Sequence, residues 1–204
     1  SRNALTARVA NAESNIANIQ RSVTTATQSI SEVSQNLGAK IDRLSVGGRN
    51  LLLGTGKGLK GNGENLYQNQ LYDFTPNVDV STLTTVTLSC DVAIKNVTEK
   101  ATPNGHFRIG VELQLFYADG TYVWLSAYHT DKADFAGRIS KTITLTKPLS
   151  KLTYNKVQVR SLASGSYAVS GAKLELGTIA TDWTPAPEDM ETATANVEAK
   201  LTAY

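Results

Sequence analysis

Cysteine is nearly missing from this chain. Cys90 is the only one in 204 residues, so no internal disulfide can form and nothing here depends on an oxidising compartment. Histidine is almost as scarce, and His106 and His129 are too few and too widely spaced for a zinc site. No Gly-x-Ser-x-Gly elbow occurs, and Cys90, inside an alternating strand pattern, reads as a small core residue rather than a nucleophile. No apolar run approaches the ~20 residues that span a bilayer, or the core of a signal peptide, which argues against membrane insertion. The formal charge is only +2, with no Lys/Arg cluster along one face, and that argues against nucleic acid as a partner. Seven carboxylates, Asp91, Glu99, Glu112, Asp131, Asp134, Glu175 and Asp182, could in principle supply an acid and base for glycoside cleavage, but their spacing selects no pair. The expectation is a chain that is not an enzyme. A hydrolase or depolymerase reading would need two close carboxylates in a cleft.

What is present falls into three segments. From Leu5 the apolar residues recur at Val9, Ala12, Ile16, Ile19, Val23, Ala26, Ile30, Val33 and Leu37, alternating spacings of four and three, which is a heptad. With Leu5 at d, β-branched residues occupy both a and d and lean towards three strands, while Ala12 and Ala26 allow closer approach. A homotrimer is the first expectation, with Arg8 and Glu13 placed as an interchain pair. A long helix packed on another part of a larger protein is the alternative. Gly38 and Lys40, at the next d position before Leu44, break the register. The chain begins Ser-Arg and stops inside a helical pattern at Tyr204, so it reads as a piece of a longer protein. The expected domains are 1–46, a coiled-coil helix; 47–187, a β-sandwich; and 188–204, the start of a second helix.

The boundary near Val46 opens a glycine-rich stretch. Within it "GKGLKG", Gly56 to Gly61, has the bare spacing of a dinucleotide fingerprint but lacks the strand before and the helix after; it reads as a flexible loop. Beyond Leu71, "TLTTVTLSCDVAIKNV", "HFRIGVELQLFY", "TYVWLSAYHT", "RISKTITLTKPL", "YNKVQVRSL" and "YAVSGAKLEL" are short β-like runs bounded by turn residues. Many strands without intervening helices predict a mainly β fold, an antiparallel jelly-roll β-sandwich.

One hairpin can be read residue by residue. Asp119-Gly120 in "FYADGTYVW" predicts a two-residue turn pairing Ala118 with Thr121 and Tyr117 with Tyr122. That register puts Val111, Leu113, Leu115 and Tyr117 on one face with Tyr122, Trp124, Ser126 and Tyr128, and Glu112, Gln114 and Phe116 on the other with Val123, Leu125 and Ala127. The first face looks like core, which would make Trp124 a core filler, although its flat apolar ring also suits stacking on a sugar. Glu112, Gln114 and Phe116, joined by Gln158 and Arg160 from "KVQVR", would form the open face. The candidate carbohydrate-binding set is therefore Glu112, Gln114, Phe116, Trp124, Gln158 and Arg160, against the plainer reading of a solvated sheet.

In "KLELGTIATDWTPAPED", Lys173 to Asp189, a last strand ends at Gly177, Trp183 is placed to cap the sandwich, and Pro187-Glu188-Asp189 suits a first helical turn. Together with "GRNLLLGT", Gly48 to Thr55, this stretch resembles the ends of carbohydrate-binding jelly-roll modules in tail and baseplate proteins of siphophages that infect Gram-positive bacteria. The specific residues are Leu174, Glu175, Gly177, Thr181, Trp183, Pro187 and Asp189, and the polar heptads resemble the helical connectors of those proteins. The resemblance implies an adhesion module of the virion, at the tail tip or baseplate, that binds cell-wall polysaccharide or teichoic acid at the host surface beside other phage tail proteins. The motifs are read as structural and carry no binding residue over to this chain. Lys57 and Lys60 in the glycine-rich loop would favour an anionic polymer. No cofactor is implied, and no run of acidic ligands marks a calcium site, so calcium stays open. The competing expectation is a structural spacer or trimerisation module of a tail fibre that binds no sugar.

Overall fold

The structure, a computed structural model, describes residues 2–42, 48–63, 67–69, 72–76, 78–101 and 105–202. It divides into two units, 1–44 and 45–204. The expected boundary near Val46 and the residues Leu44 and Tyr204 lie outside the described residues.

The first unit is one helix, α1 (Arg2–Asp42), about 60 Å long at the usual rise per residue. Its apolar stripe is bare: Leu5, Val9, Ile16, Ile19, Val23, Ile30, Val33 and Leu37 are each at least 50% exposed. Threonines on the same helix return their hydroxyls to the carbonyl four residues back, as Thr24 does to Gln20 and Thr27 to Val23. That satisfies their polar groups without a partner.

The second unit is a β-sandwich built from β1 (Leu52–Leu53), β2 (Leu59–Asn62), β3 (Tyr67–Asn69), β4 (Asp73–Phe74), β5 (Thr85–Glu99), β6 (Arg108–Tyr117), β7 (Tyr122–His129), β8 (Phe135–Thr144), β9 (Leu149–Arg160) and β10 (Leu162–Leu176). One sheet has the order β2-β10-β5-β8, the other β3-β9-β6-β7, and β1 pairs with β4. Every pairing is antiparallel. The chain crosses between sheets after most strands, with β6 and β7 joined as a hairpin in one of them, which is jelly-roll topology. Two-residue alternation produces the core. Val86, Leu88, Cys90, Val92 and Ile94 of β5 face Ile109, Val111, Leu113 and Leu115 of β6, all 3% exposed or less. Burial raises the Cys90 thiol to about 12, so it stays protonated and unreactive at neutral pH. The stretch read as a flexible loop is partly ordered: Leu59–Asn62 forms β2 and pairs with β10, so Lys60 is a strand residue.

The β6–β7 hairpin differs from the expected register. The Tyr117 amide donates to the Thr121 carbonyl and the Gly120 amide to the Tyr117 carbonyl, so the loop is Ala118-Asp119-Gly120 and Gly120 adopts φ +84°. A three-residue loop closed by a left-handed glycine is the next commonest solution after the two-residue turn. It shifts the pairing by one: Phe116 opposes Tyr122, Gln114 opposes Trp124 and Glu112 opposes Ser126. Because side chains alternate, that single step turns β7 over, so Leu125 and Ala127 enter the core and Tyr122 and Trp124 leave it. Gly120→Val should therefore cost about 1–2 kcal/mol through left-handed strain alone, read as a lower urea midpoint at unchanged slope. An unchanged midpoint would show that the turn is not held in this conformation.

The segments that enter and leave the sandwich are tied together beside β10. Asn50 is fully buried and its amide donates to Thr55 Oγ1, the Ala172 carbonyl and the Thr184 carbonyl, while its oxygen accepts from the Leu52 and Leu174 amides. Lys173 and Glu175 point to the outer side of the sheet, as alternation predicts, yet are 1% and 0% exposed. The returning segment covers them: Lys173 Nζ donates to Thr181 Oγ1 at 2.7 Å and to the Asp182 carbonyl at 3.0 Å, and Glu175 accepts from the Thr181 amide and hydroxyl. Trp183 lies at the end of this returning segment. It remains 37% exposed, rests against Gly171 and donates from Nε1 to Thr55 Oγ1. Helix α2 (Pro187–Thr202) starts at the proline, and Asp189 in its first turn accepts from the Gly54 amide.

Candidate functional site: the open face of the β3-β9-β6-β7 sheet

Antiparallel register arranges the open face as cross-strand rows over β7, β6 and β9. They run Tyr122–Phe116–Lys151, Trp124–Gln114–Tyr154, Ser126–Glu112–Lys156 and Tyr128–Gly110–Gln158, ending at Arg108–Arg160. All the candidate residues, Glu112, Gln114, Phe116, Trp124, Gln158 and Arg160, thus share one face. For Trp124 this reverses the core-filler reading, since it is 43% exposed.

Aromatic rings dominate one end. Phe116 and Tyr122 lie 5.3 Å apart, Tyr122 meets Trp124 edge-on at 6.1 Å, and Trp124 meets Tyr154 edge-on at 5.7 Å. T-shaped contacts lock ring orientations and leave flat, partly apolar surface open to solvent. Lys156 sits behind them, its Nζ 5.7 Å from the centroid of Trp124 and 5.3 Å from that of Tyr154, so the rings are held by cation–π attraction as well as by packing.

The polar middle is preorganised. Lys156 Nζ donates to Glu112 Oε1 at 2.7 Å, and Ser126 Oγ donates to Glu112 Oε2 at 2.9 Å. Burial alone would raise the Glu112 carboxyl. The Lys156 ammonium and the hydroxyls of Tyr128 and Ser126 outweigh it and hold the acid below its ordinary value, so it is ionised at neutral pH. The Tyr128 hydroxyl is buried beside that carboxylate without a bond of normal geometry. Burial first and the neighbouring negative charge second push its pKa well up. Glu112 is the only carboxylate on β6, β7 and β9, so these three strands do not themselves supply an acid–base pair of the glycosidase kind.

Sequence reasoning missed Arg108, Tyr122, Ser126, Tyr128, Tyr154 and Lys156. Lys156 and Tyr154 were within reach, because they continue the parity of Gln158 and Arg160. The β7 residues were lost to the turn. A broad depression of about 690 Å³ lies on the other sheet, where Ala93, Ala136 and Ala168 are joined by Lys60, Lys95, Asn62, Phe135 and Tyr167. Its two aromatic residues offer no open platform, since Tyr167 is 7% exposed and the Phe135 ring is stacked on His129, whereas Tyr122 and Trp124 are 53% and 43% exposed, so the aromatic face is the better candidate. Among the described residues no group of three or more His, Cys, Asp or Glu could hold a metal ion, and no helix is long and apolar enough to cross a membrane.

No protein-family model and no curated protein sequence matches this chain. Solved structures do. The tripod from the baseplate of bacteriophage Tuc2009 is 16% identical with a TM-score of 0.41, over 72% of this chain and 61% of that one. This chain thus spans about three fifths of that chain. A family 16 carbohydrate-binding module is 15% identical with a TM-score of 0.36, over 60% of this chain and 82% of the module. The CBM22-1 xylan-binding domain of Xyn10C from Paenibacillus barcinonensis is 9% identical with a TM-score of 0.33, over 67% of this chain and 99% of that domain. At such identities the likeness concerns the fold.

Proposed function

We propose that this chain is a non-enzymatic carbohydrate-binding module of a phage tail or baseplate protein. In this reading it holds the virion to saccharides of the host envelope, cell-wall polysaccharide or teichoic acid, during adsorption. The observation that carries it is the open face itself: a ladder of exposed Tyr122 and Trp124 with half-buried Phe116 and Tyr154, beside a fixed Glu112–Lys156–Ser126 cluster. Flat rings offer the apolar faces of pyranoses a platform, and rigid polar groups beside them select hydroxyl patterns at little ordering cost. The phage setting rests on the resemblance of the opening and closing motifs. The structure supplies a physical reason for those motifs: Asn50, Lys173, Glu175 and Thr181 close the module on itself.

The bare heptad stripe of α1 supports self-association, with three strands as the proposed state. Weak single sites then gain avidity because later contacts become intramolecular. The test is labelling of intact Gram-positive cells by a fluorescent copy of the chain, with and without competing wall polysaccharide, alongside an Ile16→Asp/Ile30→Asp variant. Strain-selective labelling removed by polysaccharide, and reduced on the order of 100-fold in a variant that sediments as a monomer, is the expected result. A folded trimer that labels no strain would favour the spacer role.

A further inference from the structure

A smaller cleft, sharing no residue with the aromatic face, opens where the segments that enter and leave the sandwich meet. Gly54, Gly56, Lys57, Trp183, Pro185 and Asp189 line its volume of about 250 Å³. Its walls are fixed by bonds already made. The Lys57 amide donates to the Gly54 carbonyl and closes a tight turn, whose Thr55 hydroxyl accepts from Trp183 Nε1 at 3.1 Å. The near end of the indole rests over Gly171, where an added Cβ would come within 3.2 Å of Trp183 Cβ and Cγ. The ring is thus pinned at its nitrogen and at its root, yet it stays exposed. Asp189, in the first turn of α2, is held on the same cleft because it accepts from the Gly54 amide.

These groups select a ligand by their chemistry. Lys57 brings an ammonium that can only donate, and Asp189 a carboxylate that can only accept and has about four acceptor sites, more than the Gly54 amide uses. Lys57 alone would favour an anion, but the acid lining the same cleft offsets it. A neutral vicinal diol meets both, donating to one and accepting from the other. The exposed indole adds a flat apolar surface that suits the face of a sugar ring, and a cleft below the ~300–1,000 Å³ usual for drug-sized ligands has room for one ring rather than a run of them. We propose that this cleft is a second carbohydrate site, taking a single neutral pyranose such as the end or a side branch of a glycan. It stands on residues separate from the aromatic face and shares with the reading above only the class of ligand. Two unlike sites on one chain add avidity for a branched polymer without any new contact between chains.

Trp124 and Trp183 are the only tryptophans in the chain, so an NMR titration of the full chain reads one indole N–H signal for each site, with Trp124→Phe to assign them. The probes are glucose, galactose, rhamnose and N-acetylglucosamine, with galacturonate and glucosamine as charged counterparts. The Trp183 signal should move saturably with at least one neutral sugar, at a dissociation constant on the order of 1 mM for so small a ligand, and at least about threefold more tightly than with either charged probe. A side chain on Gly56 would meet nothing within 4 Å, so Gly56→Leu fills the cleft without a clash and should abolish the response. Lys57→Met, on an exposed turn, should weaken it roughly three- to tenfold. Both variants should leave the Trp124 signal responding as in the parent. A Trp183 signal that ignores every neutral sugar, or still moves in Gly56→Leu, would overturn the second site, and a response at Trp124 in the same samples would leave the aromatic face standing. Tighter binding of a charged probe would overturn the neutral-ligand assignment. Silence at both signals in a folded chain would count against both sites.

Discussion

Asn50→Ala is expected to destabilise the sandwich by about 3–5 kcal/mol, a large share of the ~5–15 kcal/mol that holds a domain together. The argument is a count of groups left without partners. Asn50 is fully buried, and its removal strands the Leu52 and Leu174 amides and the Ala172 and Thr184 carbonyls at once. Each unsatisfied buried group costs about 1–3 kcal/mol, reduced where water can enter through the opened edge. Asn50→Asp keeps the shape and the acceptor but loses the donating NH2 and buries a charge, so it should be no milder. Urea unfolding monitored at the tryptophans would show the midpoint falling at constant slope. A midpoint within about 0.5 kcal/mol of the parent would mean that the entering and leaving segments of the sandwich are not fastened through this residue.

Trp124→Ala should have the opposite signature, a loss of ligand with little loss of fold. The ring is 43% exposed and touches only other residues of the open face in the ring contacts described, so truncation opens no core cavity. A sugar stacked on it would lose about 1.5–3 kcal/mol of apolar contact, roughly 10- to 100-fold in affinity. Leu125→Ala, one residue along the same strand, is the mirror experiment. Leu125 is 0% exposed, and its truncation should cost about 2–5 kcal/mol of stability while leaving affinity intact wherever the variant is folded. If Trp124→Ala unfolds the chain, or if it binds glycan like the parent, the proposed face is wrong.

Much of this organisation could be read from periodicity. A spacing of three and four residues is a property of one helix, and the stripe from Leu5 to Leu37 runs along α1 as expected. Two-residue alternation is likewise local, and the runs read as strands correspond to β5 through β10. Within β6, and along β9 from Lys156 to Arg160, the separation of core from open face needed no partner strand, and Glu112, Gln114, Phe116, Gln158 and Arg160 fall where alternation puts them.

Pairing between strands is another matter, because it depends on closure of loops and on what covers an edge. Asp119-Gly120 is compatible with a two-residue and a three-residue turn, and the choice between them moves every side chain of β7 to the other face. The local preferences differ little; burying Leu125 and Ala127 while exposing Tyr122 and Trp124 differs a great deal, so the core selects the turn. Lys173 and Glu175 show the same limit. Their alternation marks them as outward, and only the return of Thr181 and Asp182 across β10 makes outward mean buried. Residue order was sufficient for a heptad helix joined to a jelly-roll sandwich. The tertiary structure alone decided which aromatic rings reach solvent and which charged pair is sealed from water, because both depend on contacts between strands distant along the chain.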